Sequence, residues 1–178
     1  MTAQTPTTVP ELLDVPARDM LTVDGTGAPE SPEFGRAIRA LFAVRGALGG
    51  TADVPLEGTY TQGGDPHAFD LDAPDGWHWR LAVPAPEHAS AEAVATAAQR
   101  FGAPVHLRRT RAQRIARLLH VGPYSAERPS LDALYGFVAG QGHVPSDGHT
   151  EVYLTDPATV PAAQLQTWLQ VPVLMTPR

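Results

Sequence analysis

Apolar positions along this chain change their period several times, and each change marks an element. From Met20 to Asp24 the alternating run "MLTVD" reads as a strand, closed by the turn "GTGAP". Ser31 then stands where a helix N-cap would, with Pro32 at the first helical position, where its missing N–H costs no hydrogen bond. Phe34, Ile38, Leu41, Phe42 and Leu48 follow at helical spacing until Gly49-Gly50 stops the run. The stretches "VPLEGTYTQ" (54–62) and "WHWRLAVPAP" (77–86) alternate, and a Gly/Asp-rich segment, 63–76, joins them. The sum is a strand-helix-strand-strand unit.

The pattern then recurs. A linking helix, "SAEAVATAAQRF" (90–101), is capped by Ser90 and ended by Gly102 and Pro104, and its alanine-rich face suits close packing on a sheet. A long strand region, 105–120, a helix over 130–140, and strands over 149–154 and 165–173 repeat the first order of elements. The expected fold is therefore α+β: two strand-helix-strand-strand repeats with pseudo-twofold symmetry, and an antiparallel sheet with helices on one face and a central ligand cleft. Residues 1–17, rich in Thr and Pro, are expected to be a flexible lead-in, and 18–178 a single domain. Repeat one covers about 18–86, the linking helix about 90–101 and repeat two about 105–174. Helices on one face leave the other bare. In "GHTEVYLTDP" (148–157) the alternation assigns Val152 and Leu154 to the helix side, and Glu151 and Tyr153 to a groove on the bare side.

Composition narrows the chemistry. The chain has no cysteine, so disulfides, thiolate metal sites and cysteine nucleophiles are excluded. All thirteen basic residues are arginine, which also excludes Schiff-base catalysis through a lysine. A net charge of −6 argues against direct nucleic-acid binding, which needs a basic surface. The basic cluster "HLRRTRAQR" (106–114) reads as a solvated strand pair or loop. No apolar run approaches the ~18 residues of a membrane span, and the N-terminus lacks the basic start and apolar core of a secretion signal. A cytoplasmic location is the expectation. No phosphate loop or nucleophile elbow is present, and no cofactor is expected.

The candidate site residues are few, and several carry two readings. Glu151, mid-strand with Tyr153 on its face, is either an exposed carboxylate or a cleft carboxylate suited to hold a cation or act as a general base. Glu57 is likewise a second cleft carboxylate or a surface charge. Tyr124, in "GPY", either pins a turn or offers a hydroxyl at the cleft rim. Trp77 and Trp79 share a strand face with Leu81 and Val83, which favours core, and Trp168 is equally ambiguous. Tyr60 and Tyr153 present flat surfaces for an aromatic ligand. His149 and Glu151 form an H-x-E pair, but no third ligand stands at readable spacing, so no metal is expected. Aromatic faces over an acidic floor favour a small hydrophobic or cationic aromatic molecule as the partner, bound by a monomer or weak homodimer.

Six stretches in order carry a family likeness: "MLTVDGTGAPESPEFGRAIRALF", "PLEGTY", "WHWRLAVPAPE", "LHVGPYSAERPSL", "GHTEVYLTDP" and "LQTWLQVPV". Over about residues 18–174 the chain resembles the GyrI-like small-molecule-binding proteins. The resemblance implies two strand-helix-strand-strand modules around a central cleft. Related domains are effector-binding modules of multidrug-sensing transcription regulators, in which a cleft carboxylate meets flat cationic ligands. Members sharing the "VDGTGAP" and "PLEG" pattern resemble a subgroup that includes hydrolases of strained, cyclopropanoid DNA-alkylating toxins. If the chain is such a hydrolase, the residues available make Glu151 the expected carboxylate that orients or deprotonates water, with Tyr124 the candidate donor to the developing oxyanion and Glu57 a candidate second carboxylate. A gyrase-inhibitor branch implies the alternative of a non-enzymatic, partner-binding or sequestering protein. With no helix-turn-helix segment before residue 18, a fused DNA-binding regulator is not expected. After Leu56-Glu57-Gly58 the family's usual tryptophan pair is replaced by Thr59, Tyr60 and Thr61.

Overall fold

Local sequence sets the helices, and the sheet is built between them. The structure, a computed structural model, describes residues 9–62 and 72–176. In chain order the elements are β1 (Glu11–Val15), β2 (Asp19–Thr26), α1 (Pro32–Ala47), β3 (Leu56–Thr61), β4 (His78–Pro84), α2 (Ala91–Phe101), β5 (His106–Arg109), β6 (Gln113–Val121), α3 (Arg128–Gly140), β7 (His143–Pro145), β8 (His149–Tyr153) and β9 (Gln166–Met175). Ser31 caps α1 by accepting the Phe34 N–H, and Ser90 caps α2 by accepting the Ala93 N–H. Gly102 ends α2 in the left-handed region, at φ 59°, where a side chain would be strained.

The strands form one antiparallel sheet in the order β1-β6-β9-β8-β3-β4-β2-β5, with β7 pairing the end of β9. The two repeats, β2-α1-β3-β4 and β6-α3-β8-β9, meet where β3 pairs β8. Helix α1 lies over β2 and β4, and α3 over β6, β7 and β9, leaving the middle strands β3 and β8 between the two helices.

Each half has its own apolar core. Leu21, Val23, Phe34, Leu41, Val44, Leu81 and Val83 are buried together in the first, and Ala116, Leu118, Leu131, Leu134, Leu169 and Val171 in the second. Burying each of the larger side chains contributes about 1.5–3 kcal/mol. The exposed ion pairs at the sheet edge, Arg80 and Arg108 with Asp24 and Arg109 with Asp19, contribute ~0–1 kcal/mol each. The cores therefore hold the fold. The basic cluster 106–114 is solvated, but it is not a strand pair: it runs from β5, which pairs β2, through a loop into the start of β6, which pairs β1 and β9.

Three expectations change. Residues 11–15, placed in the flexible lead-in, form the edge strand β1 against β6. Leu12 packs on the second core, while Asp14 and Glu11 pair with Arg114 and Arg117, partners about 100 positions away that local sequence cannot announce. The strand region 105–120 is two strands, β5 on one edge of the sheet and β6 in the other half. The third change concerns which face carries Glu151, and it follows from the register. Val23, Leu81, Gly58, Glu151, Leu169 and Leu118 form one row across the sheet, each opposite the next. Both flanks of that row lie under helices, so Glu151 is on the helix-bearing face, in the gap between α1 and α3, and not on the bare one.

Candidate functional site

Strand β8 puts His149, Glu151 and Tyr153 on one face by simple alternation. Neither apolar core includes them, so they form a polar stripe between the two. Their strand partners bring the rest: Tyr60 stands opposite His149 and Leu56 opposite Tyr153. Gly58, opposite Glu151, leaves a space that Tyr60 fills, because a Cβ built there would lie 2.8 Å from the Tyr60 hydroxyl and 2.9 Å from its ring. The two tyrosines thus lean toward each other over Gly58, and their hydroxyls meet at 2.6 Å.

The hydrogen bonds have a direction. Tyr153 donates its hydroxyl to Glu151 Oε2 at 2.7 Å, so in the 2.6 Å contact the hydrogen comes from Tyr60. His149 Nε2 lies 3.1 Å from Glu151 Oε1 and donates to it when Glu151 is ionised. A third partner is Glu127, the residue just before α3, whose side chain hydrogen-bonds Glu151. Burial is the main cause that pushes Glu127 up to about 9, followed by the charge of Glu151 and their hydrogen bond. Glu127 is therefore a neutral acid at pH 7 and the donor in that contact. Three donors, from a histidine, a tyrosine and a carboxylic acid, converge on a carboxylate that is only 7% exposed.

Aromatic rings surround this cluster. Trp77 meets Tyr60 edge-on at 5.6 Å, His149 stacks on Tyr60 at 5.7 Å, and Tyr124 meets Tyr153 edge-on at 5.6 Å. Burial, and next the negative charge of Glu151, raise Tyr60 and Tyr153 well above the ordinary phenol value, and the same two causes raise Tyr124. All three stay protonated donors at any physiological pH. Tyr124 is the exposed member of the group and forms its outer rim.

Of the residues singled out in the sequence, Glu151, Tyr153, Tyr60, His149, Trp77 and Tyr124 come together here. Three lie elsewhere. Glu57 is on the opposite face, since it stands opposite Val152 in the register, and Arg18 holds both its oxygens at 2.8 and 3.0 Å. Trp168 shares that opposite face, with the Arg117 guanidinium 4.2 Å over its ring. Trp79 packs under α1, edge-on to Phe34 at 5.2 Å. Two grooves of about 390 and 520 Å³ open elsewhere on the surface, and neither is lined by a buried carboxylate.

Glu127 is the site residue that sequence reasoning missed. In "SAERPSL" it looks like a generic acid favoured at a helix start. In the structure it occupies the N-cap of α3, where Ser, Thr, Asp or Asn is preferred, and its side chain makes no capping bond, reaching Glu151 instead.

Comparison with known proteins gives a consistent picture. The family model of the GyrI-like small molecule binding domain matches residues 77–174. An uncharacterized conserved protein from Listeria innocua is 27% identical, with a TM-score of 0.82 over 95% of this chain and 94% of that one. A hydrolase from the same organism is 26% identical, with a TM-score of 0.78 over 95% of this chain and 93% of that one. SAV2435, solved bound to tetraphenylphosphonium, shares the fold at 9% identity, with a TM-score of 0.54 over 93% of both chains. Among curated proteins, none matches the sequence. Among the described residues no helix is long and apolar enough to cross a membrane. The extent of the domain match, together with a shared fold over nearly the whole chain, makes this protein a member of the GyrI-like small-molecule-binding family.

Proposed function

We propose that this GyrI-like domain binds flat or bulky hydrophobic cations in the gap between α1 and α3, over the β3–β8 pair, with Glu151 as the fixed counter-charge. The observation that carries the reading is the coordination of Glu151. Glu151 is a buried carboxylate whose oxygens lie against His149, Tyr153 and Glu127, a set of hydrogen-bond partners suited to stabilise negative charge there. Tyr60, Tyr153, Tyr124 and Trp77 supply ring faces and edges around it, which suits an organic cation better than a hydrated metal ion. The relative bound to tetraphenylphosphonium supports the same ligand class.

Two unit charges ~5 Å apart at an effective dielectric of ~20 attract by about 3 kcal/mol. Glu151→Gln should therefore weaken tetraphenylphosphonium binding roughly 10- to 100-fold, read by calorimetry on variants with matched thermal melts. Equal affinity would remove Glu151 from the site.

A second reading has its own support, the hydrolase relative at 26% identity over 93% of that chain. Here the substrate is an uncharged molecule with a strained, cyclopropanoid ring. Glu151 takes a proton from the attacking water as that water's oxygen bonds to a ring carbon. The ring bond breaks, its electron pair moves to the conjugated oxygen, and Tyr124 protonates that oxygen. General-base action of this kind contributes ~10²–10⁴-fold. Mass spectrometry of such a ring after incubation separates the readings: a hydrolase adds one water per molecule, and a binder returns the ring intact.

A further inference from the structure

Two carboxyl groups in hydrogen-bond contact cannot both be ionised, because each would offer only acceptors to the other. One proton therefore resides in the Glu127–Glu151 pair, and the surroundings decide where. Glu151 already receives the Tyr153 hydroxyl at 2.7 Å and lies 3.1 Å from His149 Nε2. Glu127 is 2% exposed and has a buried oxygen, Oε1, with no hydrogen-bond partner among the described residues. The donors favour charge on Glu151, and the bare, desolvated oxygen favours neutrality on Glu127. The proton sits on Glu127.

This proton has no structural task that a fixed amide could not perform, and its place beside the proposed counter-charge gives it another. We propose that Glu127 is the proton-carrying half of the ligand site: when an organic cation binds over the β3–β8 pair, Glu127 releases its proton to solvent, so that cation uptake is an exchange. The inference rests on the cation-binding reading and adds a chemical step to it. The step balances: the O–H bond of Glu127 breaks, the carboxylate keeps the electron pair, and buffer takes the proton. The entering positive charge then faces two carboxylates where the empty site presented one. A neutral guest leaves the proton in place, so Glu127 sets the site's preference between charged and uncharged guests.

Glu127 is hydrogen-bonded to Glu151 on β8, and it interacts electrostatically with Tyr60 on β3 and with Tyr124 in the turn before it. His120 on β6 is tied to Ser130 of α3 at 2.9 Å, and Arg128, next along the chain, pairs with Asp72 at 3.1 Å. The tyrosines are held protonated by burial and by the charge of Glu151. The pH window from 7.5 to 9.5 brackets the ionisation of Glu127, which lies near 9 in the empty site. A positive charge within ~6 Å lowers a carboxyl pKa by roughly 1–3, and the middle of that range brings it to about 7.

The test is calorimetric titration of the whole protein with tetraphenylphosphonium from pH 7.5 to 9.5, in two buffers of different ionisation enthalpy. Linkage predicts release of about 0.8 proton per cation near pH 8, and affinity rising about tenfold from pH 7.5 to 9. Glu127→Gln should lose both the release and the pH dependence. Binding by the wild type with no release and flat affinity would overturn the exchange while leaving the cation site standing. Release that persists in Glu127→Gln would assign the proton to another group and overturn it equally. Absence of binding at every pH would overturn the cation reading and the exchange together. A second measurement needs no variant: the Glu127 carboxyl ¹³C resonance at pH 8 should move from its protonated to its ionised position as the cation is added, and a stationary resonance refutes the proposal.

Discussion

Gly58→Ala is the sharpest test of how the centre of the sheet is built. The new methyl carbon would lie 2.8 Å from the Tyr60 hydroxyl, 2.9 Å from Cε2 and 3.0 Å from Cζ, all inside van der Waals contact. Tyr60 cannot swing away freely, since it is 2% exposed, with Trp77 at its edge and His149 on its face. Overpacking of this kind costs ~1–3 kcal/mol. Displacing the ring also breaks the 2.6 Å contact with Tyr153, worth ~0.5–1.5 kcal/mol. Alanine restrains the unfolded chain more than glycine does, which returns ~0.4–1 kcal/mol. The expected net loss is about 2 kcal/mol, or roughly 4–8 °C in Tm for a chain of this length. Urea unfolding followed by far-UV circular dichroism reads it directly. The cause is tested by a double-mutant cycle: with Tyr60→Leu in the background the clash is gone, and the cost of Gly58→Ala should fall by at least ~1 kcal/mol. A loss unchanged by Tyr60→Leu, or no loss at all, would refute the packing argument.

Two further outcomes follow from where the acids sit. Glu57→Gln should leave tetraphenylphosphonium affinity within about twofold while costing roughly 1 kcal/mol of stability, because its partner Arg18 is 43% exposed and lies on the other face of the sheet; a tenfold loss of binding would contradict that placement. Glu127 ionises near 9 in the folded chain against an ordinary 4.5, so the folded chain keeps a proton that the unfolded chain surrenders. Its stabilising contribution is complete below pH ~4.5 and falls as pH rises toward 9, by up to about 1.4 kcal/mol per pH unit. In urea titrations at successive pH values, the wild type should lose stability relative to Glu127→Gln across that window; parallel curves would show that Glu127 does not hold its proton.

Much of the fold is legible in local chemistry, and the site is legible only in part. Ser31-Pro32 and Gly49 bound α1, Ser90 and Gly102 bound α2, and alternation marks β3, β4 and β8, because caps, turns and pleat act within a few residues of the signal. Strand β1 escapes, because what orders "ELLDV" is a row of partners on β6. Alternation also divides β8 correctly into two faces, yet it cannot say which face the helices cover. That depends on Gly58 and Leu169 standing opposite Glu151, a fact of register between distant strands. The same limit misplaces Glu57: its strand is right, and its face is set by Val152 across the pair. Glu127 escapes for a simpler reason, since its partner is 24 positions away and only folding makes it one.

The β3–β8 pair has a mechanical consequence. It joins two halves whose apolar cores stop short of each other, and on the helix face it does so with hydroxyls, an imidazole and carboxyl groups. Such contacts fix alignment, because they work only in one geometry, while the sticking strength lies on either side. The joint is therefore located like a dowel and not welded like a seam. An apolar molecule seated there would be the missing filler between the two cores, and the twist of one half against the other would be the quantity it adjusts.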